Sequence, residues 1–194
     1  MIELRVSMDD VLARYANQLA VLGEKRMKQA LQRGLAHTGN KARTQVVRAL
    51  TRQTGLKRGV IVRAVRFRKP SHNDLSYVME TRGGDISLKY FSPRETARGV
   101  SAAPRGKRQV FPGTFMKAGW WPGRVVKPSW NGQVFRRTGG TTETGMDEFE
   151  KMKSGVFIPE EMVRGATLAA WRQVAERDLI DRIGHEIGRM LPGD

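Results

Sequence analysis

The chain has 194 residues, of which 35 are Lys or Arg and 19 are Asp or Glu, for a net charge of +16, and it contains no cysteine. That composition excludes disulfide frameworks, thiolate zinc sites and cysteine nucleophiles. The opening MIELRVSMDD lacks the apolar core of a signal peptide, and no run approaches the ~20 apolar residues that span a bilayer. The charge is uneven: residues 41–140 hold 22 basic and 4 acidic side chains, whereas 141–194 hold 7 and 11. Such a field gathers polyanions or acidic protein surfaces, and charge does not choose between them.

Two helical stretches are predicted first. Leu12, Tyr15, Leu19 and Leu22 recur at spacings of three and four. Ser7 ahead of Asp9 and Asp10 suits a helix N-terminus, where carboxylates meet partial positive charge. Gly23 breaks or bends the run. From about 24 to 53, Met27, Leu31, Leu35, Ala42, Val46 and Leu50 form one stripe, with Arg43, Arg48 and Arg52 among the basic residues elsewhere on the surface. Unbroken, that helix is ~45 Å long. Gly34 and Gly39 permit a kink or a close helix approach. After Thr54-Gly55, LKRGVIVRAVRF reads as a short helix running into a strand. Leu75, Tyr77, Met79 and Thr81 alternate as a strand, and Gly83-Gly84 offers the turn of a hairpin over 75–89.

Residues 92–108, SPRETARGVSAAPRGKR, have few apolar anchors and are predicted to be an extended arm that orders on assembly. Strands return near Val110–Lys117 and Gln133–Arg137, and GWWPGRVVKPSWNG between them holds Trp120, Trp121 and Trp130. Residues 138–154 read as a flexible linker. A closing helix then starts at Pro159 with Glu160 and Glu161, buries Ala166, Ala169, Ala170, Val174, Leu179, Ile183 and Ile187, and stops at Pro192-Gly193. The expectation is one α+β domain over 1–194: N-terminal helices, a small central antiparallel sheet with long loops, and a C-terminal helix.

Chemistry-bearing patterns are sparse. His185-Glu186 begins a HExxH pattern, but Arg189 stands where the second ligand belongs. There is no Gly-x-Ser-x-Gly elbow, Walker A loop or GxGxxG. A magnesium-dependent nuclease would need clustered carboxylates, and the cationic middle offers only Asp74, Glu80, Asp85 and Glu95. The expectation is a chain that is not an enzyme and uses no metal or cofactor. The tryptophans, interleaved with Lys117, Arg124 and Lys127, could stack bases, anchor a subunit interface or fill a core. Adjacent tryptophans on a strand cannot both point inward, so at least one is expected to meet a partner.

Several segments, taken in order, resemble the prophage minor tail protein Z family. They are ALQRGLAHTGNKARTQVVRALTRQTGLKRGVIVRAVR, KRQVFPGTFMK, GQVFRRTG, and GVFIPEEMVRGATLAAW followed by RIGHEIGRML, together covering about residues 28–190. None of these motifs encodes chemistry. The resemblance implies a structural virion component of a tailed phage, a tail-completion protein at the head–tail joint that is assembled in the host cytoplasm. It further implies a homo-oligomeric ring, expected to be a hexamer, with the tail terminator and head–tail connector as neighbours, genomic DNA in the lumen, and no membrane partner. On that reading Arg43, Arg48, Arg52, Arg105, Lys107 and Arg108 face DNA or acidic partners, and Trp120, Trp121 and Trp130 lie in subunit interfaces. The alternative is a free basic nucleic-acid-binding protein or, further off, a magnesium-dependent nuclease.

Overall fold

The computed structural model describes residues 1–5 and 8–191. The predicted caps at Ser7 and at Pro192-Gly193, and the side chains of Asp9 and Asp10, lie outside what it describes. The chain opens on a strand, β1 (Ile2–Arg5), and not on a helix. Four residues are too few to show a period, and this strand is held by pairing with a segment far along the chain.

After α1 (Asp9–Arg14) comes α2 (Ala16–Thr54), broken at Gly23, whose φ of 71° and ψ of 162° are not helical. Tyr15 is a second irregularity, and the buried stripe runs through Val11, Leu19 and Leu22, leaving Leu12 40% exposed. Beyond Gly23 the predicted stripe holds: Leu31, Leu35, Ala42, Val46 and Leu50 are buried, and Met27 at its start is half-buried. Gly34 and Gly39 mark close approaches without a kink. A Cβ on Gly34 would lie 2.5 Å from Ile183 Cγ1, and one on Gly39 would collide with Cδ2 and Cγ of the Tyr77 ring. Gly55 ends the helix in the left-handed conformation, donating its N–H to Thr51 O at 3.1 Å. The short helix α3 (Arg58–Ala64) then runs into β2 (Val65–Arg68), as expected.

The fold class is α+β, but among the described residues the strands are divided into four small antiparallel sheets and not gathered in one. In the first, β3 (Val78–Thr81) lies between β1 and β2. The predicted hairpin over 75–89 does not form, because both edges of β3 are already taken. β4 (Asp85–Ser87) instead pairs with β11 (Lys153–Phe157), and Gly83-Gly84 carries the chain from one sheet to the next. Leu75 stays outside the strand: Ser71, Asp74 and Ser76 bond to one another locally, which competes with the ladder.

The predicted arm at 92–108 is folded. β5 (Arg94–Thr96), β6 (Gly99–Ala102) and β7 (Gln109–Pro112) make an antiparallel meander whose central strand is wholly buried. Its anchors are small, Val100, Ala102 and Pro104, so the segment reads as polar while packing as core. The predicted linker is likewise a hairpin. β9 (Phe135–Thr141) pairs with β8 (Thr114–Phe115) on one edge and β10 (Asp147–Lys151) on the other. Arg136 meets Glu150 and Arg137 meets Asp147 across the strands, each at 2.8 Å.

The closing helix comes in pieces: α4 (Ile158–Met162), with Pro159 in its first turn, then α5 (Gly165–Arg172), a π-helical segment Gln173–Asp178, and α6 (Leu179–Gly188). Ala166 and Ala169, expected on its apolar face, are exposed. The buried line is Thr167, Trp171, Ala175, Leu179, Ile183 and Ile187, a spacing of four throughout. In a pure α-helix such a line drifts by ~40° per step. The wider π-helical turns absorb that drift and keep the line against α2. Among the described residues no helix is long and apolar enough to cross a membrane.

Candidate functional site

The six basic residues singled out in the sequence do not form one patch of equivalent charges. Arg43 lies flat over the Phe67 ring at 3.8 Å, and Phe67 stacks on buried Tyr77 with ring centroids 6.3 Å apart. It therefore helps hold α2 on the first sheet. Burial pushes the Tyr77 hydroxyl's pKa up, with Arg43 acting against that shift. Arg108 donates to Ser92 O, Ser101 O and Ser101 Oγ, each at 3.2 Å, tying β7 to its meander. Arg105 donates to Gly155 O at 3.0 Å and to Glu161 Oε1 at 3.2 Å. Arg48, Arg52 and Lys107 are exposed and form no ion pair among the described residues.

Glu161 is a hub that the sequence did not announce. Its carboxylate is 3% exposed and gathers Arg164, Arg105 and Gln53, the last donating from Nε2 to Oε2 at 2.6 Å. Burial pushes its pKa up, but hydrogen bonds from Arg164 and Gln53 and the charges of Arg164 and Arg105 outweigh that and hold it below the usual carboxylate range. Gln53 also donates to Glu161 O and Arg164 O, while its Oε1 accepts from Thr167 N and Thr167 Oγ1 at 3.1 Å. One side chain thus clamps the end of α2 to α4 and α5. Beside this clamp lies an open cleft of about 620 Å³, lined by Arg48, Arg52, Gln45 and Gln53 together with the small residues Ala49, Gly165, Ala166 and Ala170.

The carboxylates considered for metal chemistry are dispersed into structural work. Asp85 accepts from Ser154 N at 3.1 Å and Gly155 N at 2.8 Å, holding the stretch of β11 where the register with β4 shifts. Glu80 sits mid-strand opposite Glu3 and Arg66, so the two acids that flanked the predicted turn serve different sheets. Asp74 pairs with Ser76 and Arg68, and its pKa is lowered by those two contacts. Glu186, from the incomplete HExxH pattern, is buried and pairs with Arg182, with Arg189 4.0 Å away, while His185 is exposed.

The tryptophans separate into two roles. Trp130 packs into an aromatic cluster with Phe115, Phe135 and Phe149, at centroid distances of 4.8 to 5.9 Å. There it is half-buried by contacts within the chain. Trp120 and Trp121, by contrast, are 70% and 51% exposed. They sit at the tip of a turn closed by mutual backbone bonds between Ala118 and Val125, with Val125 and Val126 also uncovered. This tip is braced from both sides. The Arg137 guanidinium lies between the Phe115 and Trp120 rings, 4.6 and 4.0 Å from their centroids. Arg124, 11% exposed, pairs with Glu95, 5% exposed, on β5. The result is an exposed apolar projection on a cationic body.

Comparison of the chain with protein-family models, curated proteins and solved structures returns no match.

Proposed function

We propose that this chain is a structural, non-enzymatic component of a tailed-phage virion, a tail-completion or minor tail protein that closes into a ring at the head–tail joint. The observation that carries the reading is the braced tip bearing Trp120 and Trp121. Two adjacent exposed tryptophans on a pre-organised turn are costly to leave in water, and tryptophan with arginine dominates the energetic centres of protein interfaces. The ordered run of segments resembling the minor tail protein Z family supports the same reading and supplies its setting. Within it, the exposed Lys107 faces the lumen DNA or the acidic surfaces of the tail terminator and head–tail connector, and the exposed Arg48 and Arg52 face an acidic protein partner. Head-to-tail contacts whose rotation closes give rings, so one tip per subunit suffices.

The test is a joining assay. Heads and tails from a phage lacking this protein are mixed with the purified chain, and infectious particles are counted. Wild-type protein restores joining, whereas Trp120→Ala with Trp121→Ala, folded by circular dichroism, does not. Full activity of that variant overturns the assignment of the tip.

A second reading, a free nucleic-acid-binding protein, is favoured by the same unpaired arginines. It predicts a monomer that binds duplex DNA tightly with a steep salt slope.

A further inference from the structure

Two surfaces of opposite charge are left uncovered by the fold. One is the cleft between α2 and α5. Besides Gln45 and Gln53, its lining includes Ala49, Gly165, Ala166 and Ala170, none of which has a side chain reaching beyond Cβ. Arg48 and Arg52 line it one helical turn apart, with no acidic partner among the described residues. The other is the tip of the β9–β10 hairpin, exposed along every residue from 138 to 151. Its turn has a defined shape, closed by Thr142 N to Met146 O and Gly145 N to Thr142 O, both at 2.8 Å. Asp147 and Glu150 are neutralised by Arg137 and Arg136. Glu143 and Glu148 have no such partner among the described residues, and Met146 between them is 67% exposed.

We infer that the hairpin tip of one copy seats in the α2/α5 cleft of the next, with Met146 over the small residues and Glu143 and Glu148 against Arg48 and Arg52. The two surfaces match in kind: an apolar plug between two carboxylates, and small residues between two guanidiniums. A DNA phosphate backbone would satisfy the arginines but brings no apolar group to the small residues between them. The flexible thioether suits a lining that includes four small residues. Because hairpin and cleft are different patches, the contact is head-to-tail and propagates until it closes. The inference rests on the reading that the chain assembles with itself, and it names the contact that does so alongside the tryptophan tip.

The experiment is a charge swap on the full chain, with mass followed by sedimentation across protein concentration. Arg48→Glu with Arg52→Glu, and separately Glu143→Arg with Glu148→Arg, place like charges against each other, and each weakens association on the order of 100-fold or more. All four side chains are exposed, so neither pair of changes removes a core contact. The chain carrying all four changes restores association to within about tenfold of wild type, since the charges are again opposite. The contact is overturned if either double variant assembles like wild type, or if the fourfold variant stays as weak as the doubles while remaining folded. A wild-type chain that never assembles overturns both this contact and the ring reading, whereas an assembling wild type with indifferent variants overturns the contact alone. Loss of binding to a duplex oligonucleotide by the cleft variant with assembly unchanged gives those arginines to DNA and also overturns it.

Discussion

Replacing Gly39 by alanine isolates the packing of the long helix on the first sheet. In an open helix the change is favourable by up to ~1 kcal/mol. Here the new Cβ would lie 2.5 Å from Tyr77 Cε2 and closer still to two other ring carbons, against ordinary carbon contacts of ~3.5–4 Å. The ring must therefore move by about 1 Å or more. It has nowhere easy to go: Tyr77 is fully buried, stacked on Phe67, and donates from its hydroxyl to Asn40 Oδ1 at 3.3 Å. Overpacking of this kind costs roughly 1–3 kcal/mol and more where nothing yields. Taking the upper end and subtracting the helix gain leaves a net loss of about 2 kcal/mol, or roughly 4–8 °C in Tm for a chain of this size. Gly59→Ala is the control, since a Cβ there meets nothing within 4 Å, and it should stabilise by up to ~1 kcal/mol. Urea denaturation of both variants measures the difference. A Gly39→Ala protein as stable as wild type would refute the packing argument.

Three further outcomes follow from the charged clusters and the tip. Glu161→Gln removes the carboxylate shared by Arg164, Arg105 and Gln53 and should destabilise by about 2 kcal/mol at neutral pH, Arg105 and Arg164 being half exposed. Because the folded-state pKa of Glu161 is lowered, its stabilisation is present above the unfolded value of about 4.3 and is lost as pH falls through the folded value. The gap between wild type and Glu161→Gln should therefore close below about pH 4 in urea melts, and a pH-independent gap would contradict the assignment. Arg124→Met strands the Glu95 carboxylate in a site 5% exposed and should cost about 3–5 kcal/mol, most of it recovered by adding Glu95→Gln, as chemical denaturation would register. Trp120→Ala with Trp121→Ala should leave the unfolding midpoint within about 1 kcal/mol of wild type, since exposed side chains contribute little to folding; a larger loss would mean the tip belongs to the core.

Legibility in the sequence followed the range of the interactions. The stripe from Leu31 to Leu50 declares itself because a helix repeats locally, and Gly23, Gly55 and Pro159 punctuate where a local backbone requirement exists. β1 and the β5–β7 meander were hidden. Ile2–Arg5 is held by residues 78–81, and Gly99–Ala102 packs through side chains too small to stand out among prolines and arginines. The hairpin at 135–151 passed for a linker because TGGTTETG is turn-rich, while its stability comes from Arg136–Glu150 and Arg137–Asp147 pairing across the strands. The break in the closing helix moved Ala166 and Ala169 off the buried face and put Thr167 and Trp171 there, a change of phase that no 3.6-residue pattern contains.

The functional surface was legible in the same uneven way. Trp120 and Trp121 are conspicuous by adjacency alone, and both are exposed. Trp130 looks the same in sequence yet joins Phe115, Phe135 and Phe149, because its neighbours arrive from strands on either side. Arg105 and Arg108 could not be told from Arg48 and Arg52 by composition. Their difference is a partner, Glu161 for one and the Ser92 and Ser101 carbonyls for the other. Gln53 gave no signal at all among the arginines of α2, since its clamp is made with residues 161–167.

The central claim is that this chain is built to join copies of itself. The measurement that tests it most directly is the mass of the purified protein across concentration, alone and with short duplex DNA, over a salt series. The account predicts a single closed oligomer for wild type, a monomer for Trp120→Ala with Trp121→Ala, and only weak, nonspecific DNA binding. A wild-type monomer at every concentration that binds duplex DNA tightly, with a steep salt dependence, would contradict it.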